Sequence, residues 1–197
     1  LKILNKYLQN IFEDVGKVSL FTMRFFREVF STSFEMKAFL LQCYTIGVKS
    51  LPLVSITGLI MGLVLTIQSR PTLIQFGAES WLPGMVGLSL VREIAPVITA
   101  LICAGKIGSG IGAELGAMKV TEQIDAMEVS AINPFKYLVV TRIMATTLMI
   151  PLLVIYADFI GVFGGYIGYN IHDNISLYRY FSSVLESIGF LDIIPAT

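Results

Sequence analysis

The feature that most constrains the fold is a polar stretch, residues 105–134, set between two apolar segments of membrane-spanning length. Part of it has the spacing of an amphipathic helix. Apolar residues at i, i+4, i+7 and i+11 share one face: Val120, Ile124, Met127 and Ala131. Charged residues recur every three positions on another face: Lys119, Glu122, Asp125 and Glu128. Asn133-Pro134 then ends the helix, so the sequence predicts a helix over residues 119–131.

A short amphipathic helix between two spans has two interpretations. It can rest its apolar face on its own membrane domain and present an acidic face to a soluble partner, which would make it a coupling helix. It can also be a solvated interfacial helix with no partner. Spacing alone leaves both interpretations open.

Composition places the chain in the membrane class. It is 55% apolar and 14% charged, whereas a soluble domain carries about 25% charged residues. The net charge is zero, so there is no basic footprint for nucleic acid. Cys43 and Cys103 lie in or near apolar segments, which indicates neither a disulfide framework nor a metal site. His172, in a polar stretch, is interpreted as a surface residue.

The predicted fold is all-α: a polytopic integral membrane protein with an N-terminal interfacial helix and about four to five transmembrane helices. The N-terminal helix occupies residues 1–37, and its many phenylalanines favour the membrane interface over a soluble core. Residues 38–197 form the transmembrane domain. Its predicted spans cover 38–68, 82–105, 137–168 and a segment beginning near Ile188. A loop or short re-entrant element is predicted at 69–80, and a polar loop at 169–185.

The distribution of lysine and arginine predicts a cytoplasmic N-terminus. With that orientation, most cationic residues lie on or near the inside: Lys2, Lys6, Lys17, Arg24, Arg27, Lys37, Lys106, Lys119, Lys136 and Arg142. Arg70 and Arg179 lie outside, and Lys49 and Arg92 lie within spans. The acidic face around Glu122 is then in the cytoplasm, where ATP is.

Arg92 and Glu93 interrupt the second span and are the strongest site candidates. A charge within a span costs at least about 2.5–3.5 kcal/mol, so it normally faces a partner or a wet cavity. Adjacent helical residues point in different directions, so at least one is expected to face a cavity or another helix. A structural ion pair, for example with Lys49, is the alternative. Asp158 is a second acid within a span, interpreted as a helix–helix hydrogen-bonding residue.

Small residues recur every four positions in several helices, which allows close approach of helix backbones in lipid. The rows are Gly108, Gly112 and Gly116; Ala157, Gly161 and Gly165; Gly164 and Gly168; and Gly58 and Gly62. Each row serves either packing within one subunit or a dimer contact.

One segment closely resembles the sequences of the MlaE family of ABC-transporter permeases: VREIAPVITALICAGKIGSGIGAELGAMKVTEQIDAMEVSAINPFKYLVVTRIMA (91–145). The resemblance also includes IGVKSLPLVSITGLIMGLVLTIQ (46–68). It implies a homodimeric permease that moves phospholipid between membranes and maintains outer-membrane lipid asymmetry. It also implies a separate cytoplasmic ATPase, a periplasmic MCE-domain protein and a bacterial inner membrane, or a plastid envelope by analogy.

The resemblance also assigns residues. It places a lipid pocket at Arg92 and Glu93, with Leu73 and Phe76 as its apolar lining. With an ATPase as partner, the amphipathic spacing of residues 119–131 makes Glu122, Asp125, Met127 and Glu128 the predicted coupling residues.

No nucleotide site is expected in the chain itself. Gly105-Lys106 is followed by Ile107, and Ala100 stands where a P-loop needs glycine. ATP would therefore be bound by the partner subunit, and the chain would be a transporter subunit rather than an enzyme with a cofactor. The resemblance further implies that a C-terminal membrane region is missing from this sequence. An ion-coupled secondary transporter using Glu93 or Asp158, and a non-transporting scaffold for an MCE assembly, are the alternatives.

Overall fold

The structure is a computed structural model that describes residues 2–30 and 35–188, with side chains described from Phe12 onward. These residues form eight α-helices and no strand. The helices are α1 (Lys2–Val29), α2 (Met36–Ile46), α3 (Leu51–Gln75), α4 (Leu82–Ser89), α5 (Ala95–Val120), α6 (Gln123–Val129), α7 (Thr141–Asn170) and α8 (Leu177–Ser187). The all-α polytopic fold predicted from the sequence is confirmed.

Short irregular helices join the α-helices into longer rods. Two 3₁₀ turns, Val48–Ser50 and Glu79–Trp81, precede α3 and α4. Two π-helical segments, Leu90–Ile94 and Phe135–Val140, precede α5 and α7. Three of the resulting rods are long and apolar enough to cross a membrane: Met36–Gln75, Glu79–Val120 and Phe135–Asn170. The fourth predicted span, from near Ile188, lies outside the described residues.

The chain divides into two compact units. The first contains Leu1–Gln42 and Met118–Ala145, and the second contains Cys43–Ala117 and Thr146–Thr197. The sequence predicts a boundary between residues 37 and 38, where the interfacial helix gives way to the transmembrane domain. The division into compact units does not test that prediction, because it does not depend on where residues lie in the membrane.

The second unit has a core built where α8 packs against α4. Its buried residues are Leu82, Val86, Leu90, Val162, Tyr180 and Val184. A second buried cluster comprises Val54, Ala95, Cys103, Leu153 and Ala157. Both clusters bury one face of each helix, as expected of helices that leave their other faces to lipid or partners.

Glycines bring α3 and α7 into backbone contact. A Cβ atom built on Gly62 would overlap the carbonyl group of Gly161, and one built on Gly58 would lie 3.2 Å from the carbonyl oxygen of Ala157. These rows therefore serve packing within one subunit. By contrast, apart from the adjoining residues and the backbone of α5 itself, no described atom lies within 4 Å of a Cβ built on Gly108, Gly112 or Gly116.

In the first unit, α1 contacts the π-helical segment Phe135–Val140. Phe21 meets Phe135 edge to face, with ring centroids 5.2 Å apart. Asn133 Nδ2 donates a hydrogen bond to Glu28 Oε1 at 3.2 Å. The predicted N-terminal helix is thus confirmed as a helix, and the contacts attach its second half to the segment that opens α7.

Two predicted loops are partly wrong. Residues 69–75 continue α3, with Pro71 inside the helix, and the chain turns only at Gly77, whose φ is 66°. Residues 177–187 are the amphipathic helix α8 rather than a polar loop, because Tyr180 and Val184, four residues apart, bury one face against α4.

Candidate functional site

Arg92 and Glu93 lie in the π-helical segment Leu90–Ile94, between α4 and α5. The wider turn of a π segment inserts an extra residue and rotates the following side chains, a feature common at functional sites. Here Leu90 and Val91 are buried, whereas Arg92 and Glu93 are exposed. Two charges are therefore presented at the surface of an apolar rod, where lipid alone would solvate them poorly.

An open groove of about 640 Å³ lies beside α4 in the second unit. Its lining is Leu73, Ala78, Ser80, Trp81, Gly84, Met85, Leu88, Ser183, Glu186 and Ser187. The groove combines apolar walls with a few hydroxyls and one carboxylate, which is the composition of an amphiphile-binding surface. Of the four predicted lipid-binding residues, only Leu73 lines this groove within the described chain. Phe76, at the end of α3, is 80% exposed.

Sequence reasoning missed an ionic cluster in the second unit. Arg70 Nη2 lies 3.1 Å from Glu79 Oε1, and the same guanidinium pairs with Asp173. The Arg70 side chain is only 14% exposed. The cluster ties the end of α3 to the 3₁₀ turn and to the loop after α7. Arg70 and Glu79 flank the Gly77 turn, which is a detectable signal, but nothing in the sequence points to Asp173.

Asp158 lines a second groove, of about 470 Å³, whose other lining residues are apolar. Its neighbours there are Val91, Ile155, Phe159, Val162, Phe181, Val184, Leu185 and Ile188. Its Oδ1 atom is buried and has no hydrogen-bond partner among the described residues. The predicted helix–helix hydrogen bond from Asp158 is therefore not found for that atom in the described chain.

Tyr180 anchors α8 in the core of the second unit. Its ring is fully buried and packs edge to face against Tyr166 and Tyr169. Burial raises the pKa of the Tyr180 phenol to about 12, so this side chain stays neutral at physiological pH. Its role is packing, which positions the α8 side of the groove that Leu73 lines.

The single helix predicted over residues 119–131 is wrong in detail. Lys119 and Val120 are the last residues of α5, and the chain breaks at Glu122, which has a left-handed φ of 56°. Only Gln123–Val129 form the separate helix α6. The break removes Val120 from the predicted apolar stripe, and its side chain is 85% exposed.

The predicted coupling residues nevertheless share one short segment. Glu122, Asp125 and Glu128 are all exposed, whereas Ile124 and Met127, three residues apart, are half-buried. Lys119 Nζ lies 3.1 Å from Asp125 Oδ1, and this ion pair partly compensates the negative charge of the Asp125 carboxylate. Glu122 and Glu128 therefore carry most of the uncompensated negative charge of this surface.

A defined turn ends α6. The Ala131 amide donates to the carbonyl of Glu128 at 3.1 Å, and the Ile132 amide donates to that of Met127 at 3.0 Å. This is the hydrogen-bond pattern of a Schellman motif, with Ala131 in the left-handed position that usually holds glycine. Both ends of α6 are thus fixed by left-handed residues, which gives the exposed acids a defined presentation.

Taken together, these features define a polytopic α-helical membrane protein with an exposed charged segment between two of its spans. The profile of the family described as Permease MlaE matches residues 39–197. The chain belongs to this family of ABC transporter permeases.

Individual relatives agree with the family assignment. A probable ABC transporter permease protein of Rickettsia typhi is 35% identical over 192 residues, which cover 98% of this chain and 74% of the relative. The intermembrane phospholipid transport system permease protein MlaE of Haemophilus influenzae is 42% identical over 124 residues, covering 63% of this chain and 48% of the relative. A probable ABC transporter permease protein of Synechocystis is 43% identical over 124 residues, with coverage of 63% and 47%.

Proposed function

We propose that this permease moves phospholipid between membranes and is driven by a separate cytoplasmic ATPase. The observation that carries the proposal is the 42% identity to the Haemophilus influenzae permease, whose name states intermembrane phospholipid transport. The proposal places the chain in a bacterial inner membrane with a cytoplasmic N-terminus. In this proposal, an MCE-domain protein in the periplasm completes the transport system. The system as a whole maintains the lipid asymmetry of the outer membrane.

The lipid site of this proposal is a cavity near Leu73, Phe76, Arg92 and Glu93. A phospholipid needs apolar walls for its acyl chains and a few polar groups for its head. The groove at Leu73 has such walls, and the exposed charges of the π-helical segment could meet a headgroup or a partner. A homodimer would bring a second copy against these exposed residues, and the glycine row of α5 offers close approach for it.

The coupling element of this proposal is the exposed segment that contains Glu122, Asp125, Met127 and Glu128. Its acids would meet a basic or polar groove on the ATPase, with Met127 and Ile124 packed beneath. ATP would bind only to that partner. Supporting this, Gly105 and Lys106 lie inside the regular helix α5 rather than in a phosphate-cradling loop.

Photo-crosslinking tests the lipid site. Crosslinkers placed at Leu73, Phe76, Arg92 and Glu93 in the full-length permease with its ATPase are expected to capture phospholipid. A crosslinker at Glu122 serves as the matched control and is expected to capture the ATPase instead. Equal lipid labelling at Glu122 would remove the argument for a specific pocket.

One observation favours an ion-coupled mechanism as a second candidate. Asp158 carries a buried carboxylate oxygen without a hydrogen-bond partner in the described residues, in an otherwise apolar groove. Proteoliposomes separate the two mechanisms. Lipid transfer that requires ATP and persists without a proton gradient supports the first, and transfer driven by the gradient alone supports the second. A chain that assembles with the MCE protein but supports no transfer would be a scaffold.

A further inference from the structure

The second half of α1 presents a cationic surface at the position expected for the membrane interface. A groove of about 510 Å³ follows one face of this helix and is lined by Leu20, Met23, Arg24, Arg27 and Glu28. Met23 is 73% exposed. The surface thus combines two guanidinium groups with exposed apolar side chains at helical spacing, which is the pattern of a helix that lies on a lipid surface.

Contacts beside the groove hold the side chains of Arg24 and Glu28 in place. The Arg24 guanidinium carbon lies 4.4 Å from the ring centroid of Phe135, so this cation is stacked on an aromatic face. A stacked guanidinium keeps N–H donors at its edge, where they can reach an acceptor. Glu28 is the one acidic side chain in the groove lining, and it accepts a hydrogen bond from Asn133.

The third cation of this region is already compensated. Lys17 Nζ lies 3.6 Å from Asp14 Oδ1 and 3.9 Å from Glu13 Oε2, in ion pairs along the exposed side of α1. Lys17 therefore offers a matched control on the same helix, with the same sign of charge and no place in the groove.

We propose that Arg24 and Arg27 bind the headgroup of an anionic phospholipid at the membrane interface, separately from the transported lipid. Charge complementarity selects this occupant, because the groove lining has two guanidinium groups and one carboxylate and therefore attracts a headgroup of net negative charge. A guanidinium can then pair with the phosphate of that headgroup through two parallel hydrogen bonds. The apolar side chains of the same face, Leu20 and Met23, match the acyl region of the lipid. The same arginines contribute to the predicted cytoplasmic orientation of the N-terminus, so the lipid belongs to the cytoplasmic leaflet.

The test uses fluorescence quenching in the full-length permease in nanodiscs. Trp81 is the only tryptophan of this chain, so Met23→Trp in a Trp81→Phe background reports on the groove, after any tryptophan in the rest of the full-length protein is also replaced. Acyl-brominated phosphatidylglycerol is compared with acyl-brominated phosphatidylcholine at equal mole fraction. Two arginines near an anionic headgroup predict that phosphatidylglycerol is enriched around the introduced indole by about tenfold or more at low salt.

Variants separate headgroup recognition from folding. Arg24→Gln with Arg27→Gln is expected to abolish the preference for phosphatidylglycerol. Arg24→Lys with Arg27→Lys keeps the charge but not the planar fork, so it is expected to retain only part of the preference. Lys17→Gln is expected to leave it unchanged. Quenching of Trp81 in the parent chain should show no dependence on Arg24 or Arg27.

If the tryptophan variant does not fold, native mass spectrometry of the parent protein released from mixed-lipid nanodiscs gives a second readout. Retained phosphatidylglycerol that is lost in the double glutamine variant supports the site. Equal quenching by both lipids, or a preference that survives the double glutamine substitution, overturns the proposal.

Discussion

Arg70 and Glu79 form an ion pair across the Gly77 turn, with Arg70 Nη2 3.1 Å from Glu79 Oε1, and Asp173 shares the same guanidinium. The arginine is mostly buried, but the two carboxylates are 39% and 43% exposed. Water therefore screens part of the interaction.

Replacing Arg70 with Met should lower stability because it leaves two neighbouring carboxylates without their cation. We expect a loss of about 1–2 kcal/mol, less than for a fully buried pair. Thermal unfolding in detergent measures it. Lys17→Met, which removes two highly exposed ion pairs, is the control and should change stability by less than about 0.5 kcal/mol. Equal unfolding temperatures for Arg70→Met and the parent would show that the cluster does not hold the loops.

Gly62→Ala should disrupt the packing of α3 on α7. The added Cβ would overlap the carbonyl of Gly161 and lie 2.9 Å from the amide nitrogen of Gly165. Because backbone cannot yield as a flexible side chain does, we expect a loss of about 2 kcal/mol or more. Size-exclusion profiles after heating report the change. A variant as stable as the parent would contradict the close helix contact.

Gly112→Ala is the matched control for Gly62→Ala, since no described atom would meet its Cβ. It should leave the monomer unchanged or stabilise it by up to about 1 kcal/mol through helix propensity. Gly112→Leu then tests the proposed dimer, because a large side chain would separate two closely packed helices. Native mass spectrometry should show dissociation of the dimer; an intact dimer would assign its interface elsewhere.

Ala131→Gly should stabilise α6. Ala131 holds a φ of 59° in the Schellman turn, a conformation that costs an L-residue about 1 kcal/mol more than glycine. Ala126→Gly, in the interior of the same helix, should instead cost about 0.5–1 kcal/mol. Hydrogen exchange of the α6 amides measures both effects. Faster exchange in Ala131→Gly would contradict the left-handed turn.

Tyr180→Phe should be nearly neutral, whereas Tyr180→Ala should cost about 3–5 kcal/mol. The ring is fully buried, but the hydroxyl, although close to Thr66, makes no hydrogen bond of normal geometry to the described residues. Removing only the hydroxyl therefore loses little. A large loss in Tyr180→Phe, measured by thermal unfolding, would reveal a hydrogen bond that contributes to the core.

The spans were predictable because membrane-length apolar runs have few alternatives to helices in lipid. The ends of the helices were not predictable, because polar residues after a span can continue the helix in water as readily as they can form a loop. Residues 106–120 continue α5 on that account. The helix α8 was not predicted, because its serines and charged residues make the segment look like a polar loop. Its apolar face, on which Tyr180 and Val184 are buried, is therefore difficult to recognise in the sequence. Ser176, which caps α8 by accepting from the Arg179 amide, was a usable signal.

For the candidate sites, the sequence identified residue types but not their surroundings. The exposed acids of residues 122–128 follow from their spacing, yet the left-handed break at Glu122 does not, since glutamate rarely adopts it. Arg92 and Glu93 stand out as charges in an apolar run. The π-helical segment that exposes them depends on helix packing that a one-dimensional pattern does not encode.

The proposed coupling of residues 122–128 to a cytoplasmic ATPase is tested most directly by a double charge reversal. Glu122→Lys with Glu128→Lys, in the full-length permease reconstituted with the ATPase, is measured for ATP-dependent phospholipid transfer and for ATPase co-purification. Glu13→Lys with Asp14→Lys, on α1, is the matched control. We expect the reversal at Glu122 and Glu128 to abolish transfer or assembly, while the membrane domain keeps its unfolding temperature. Normal assembly and a normal transfer rate in that variant would contradict the proposed coupling.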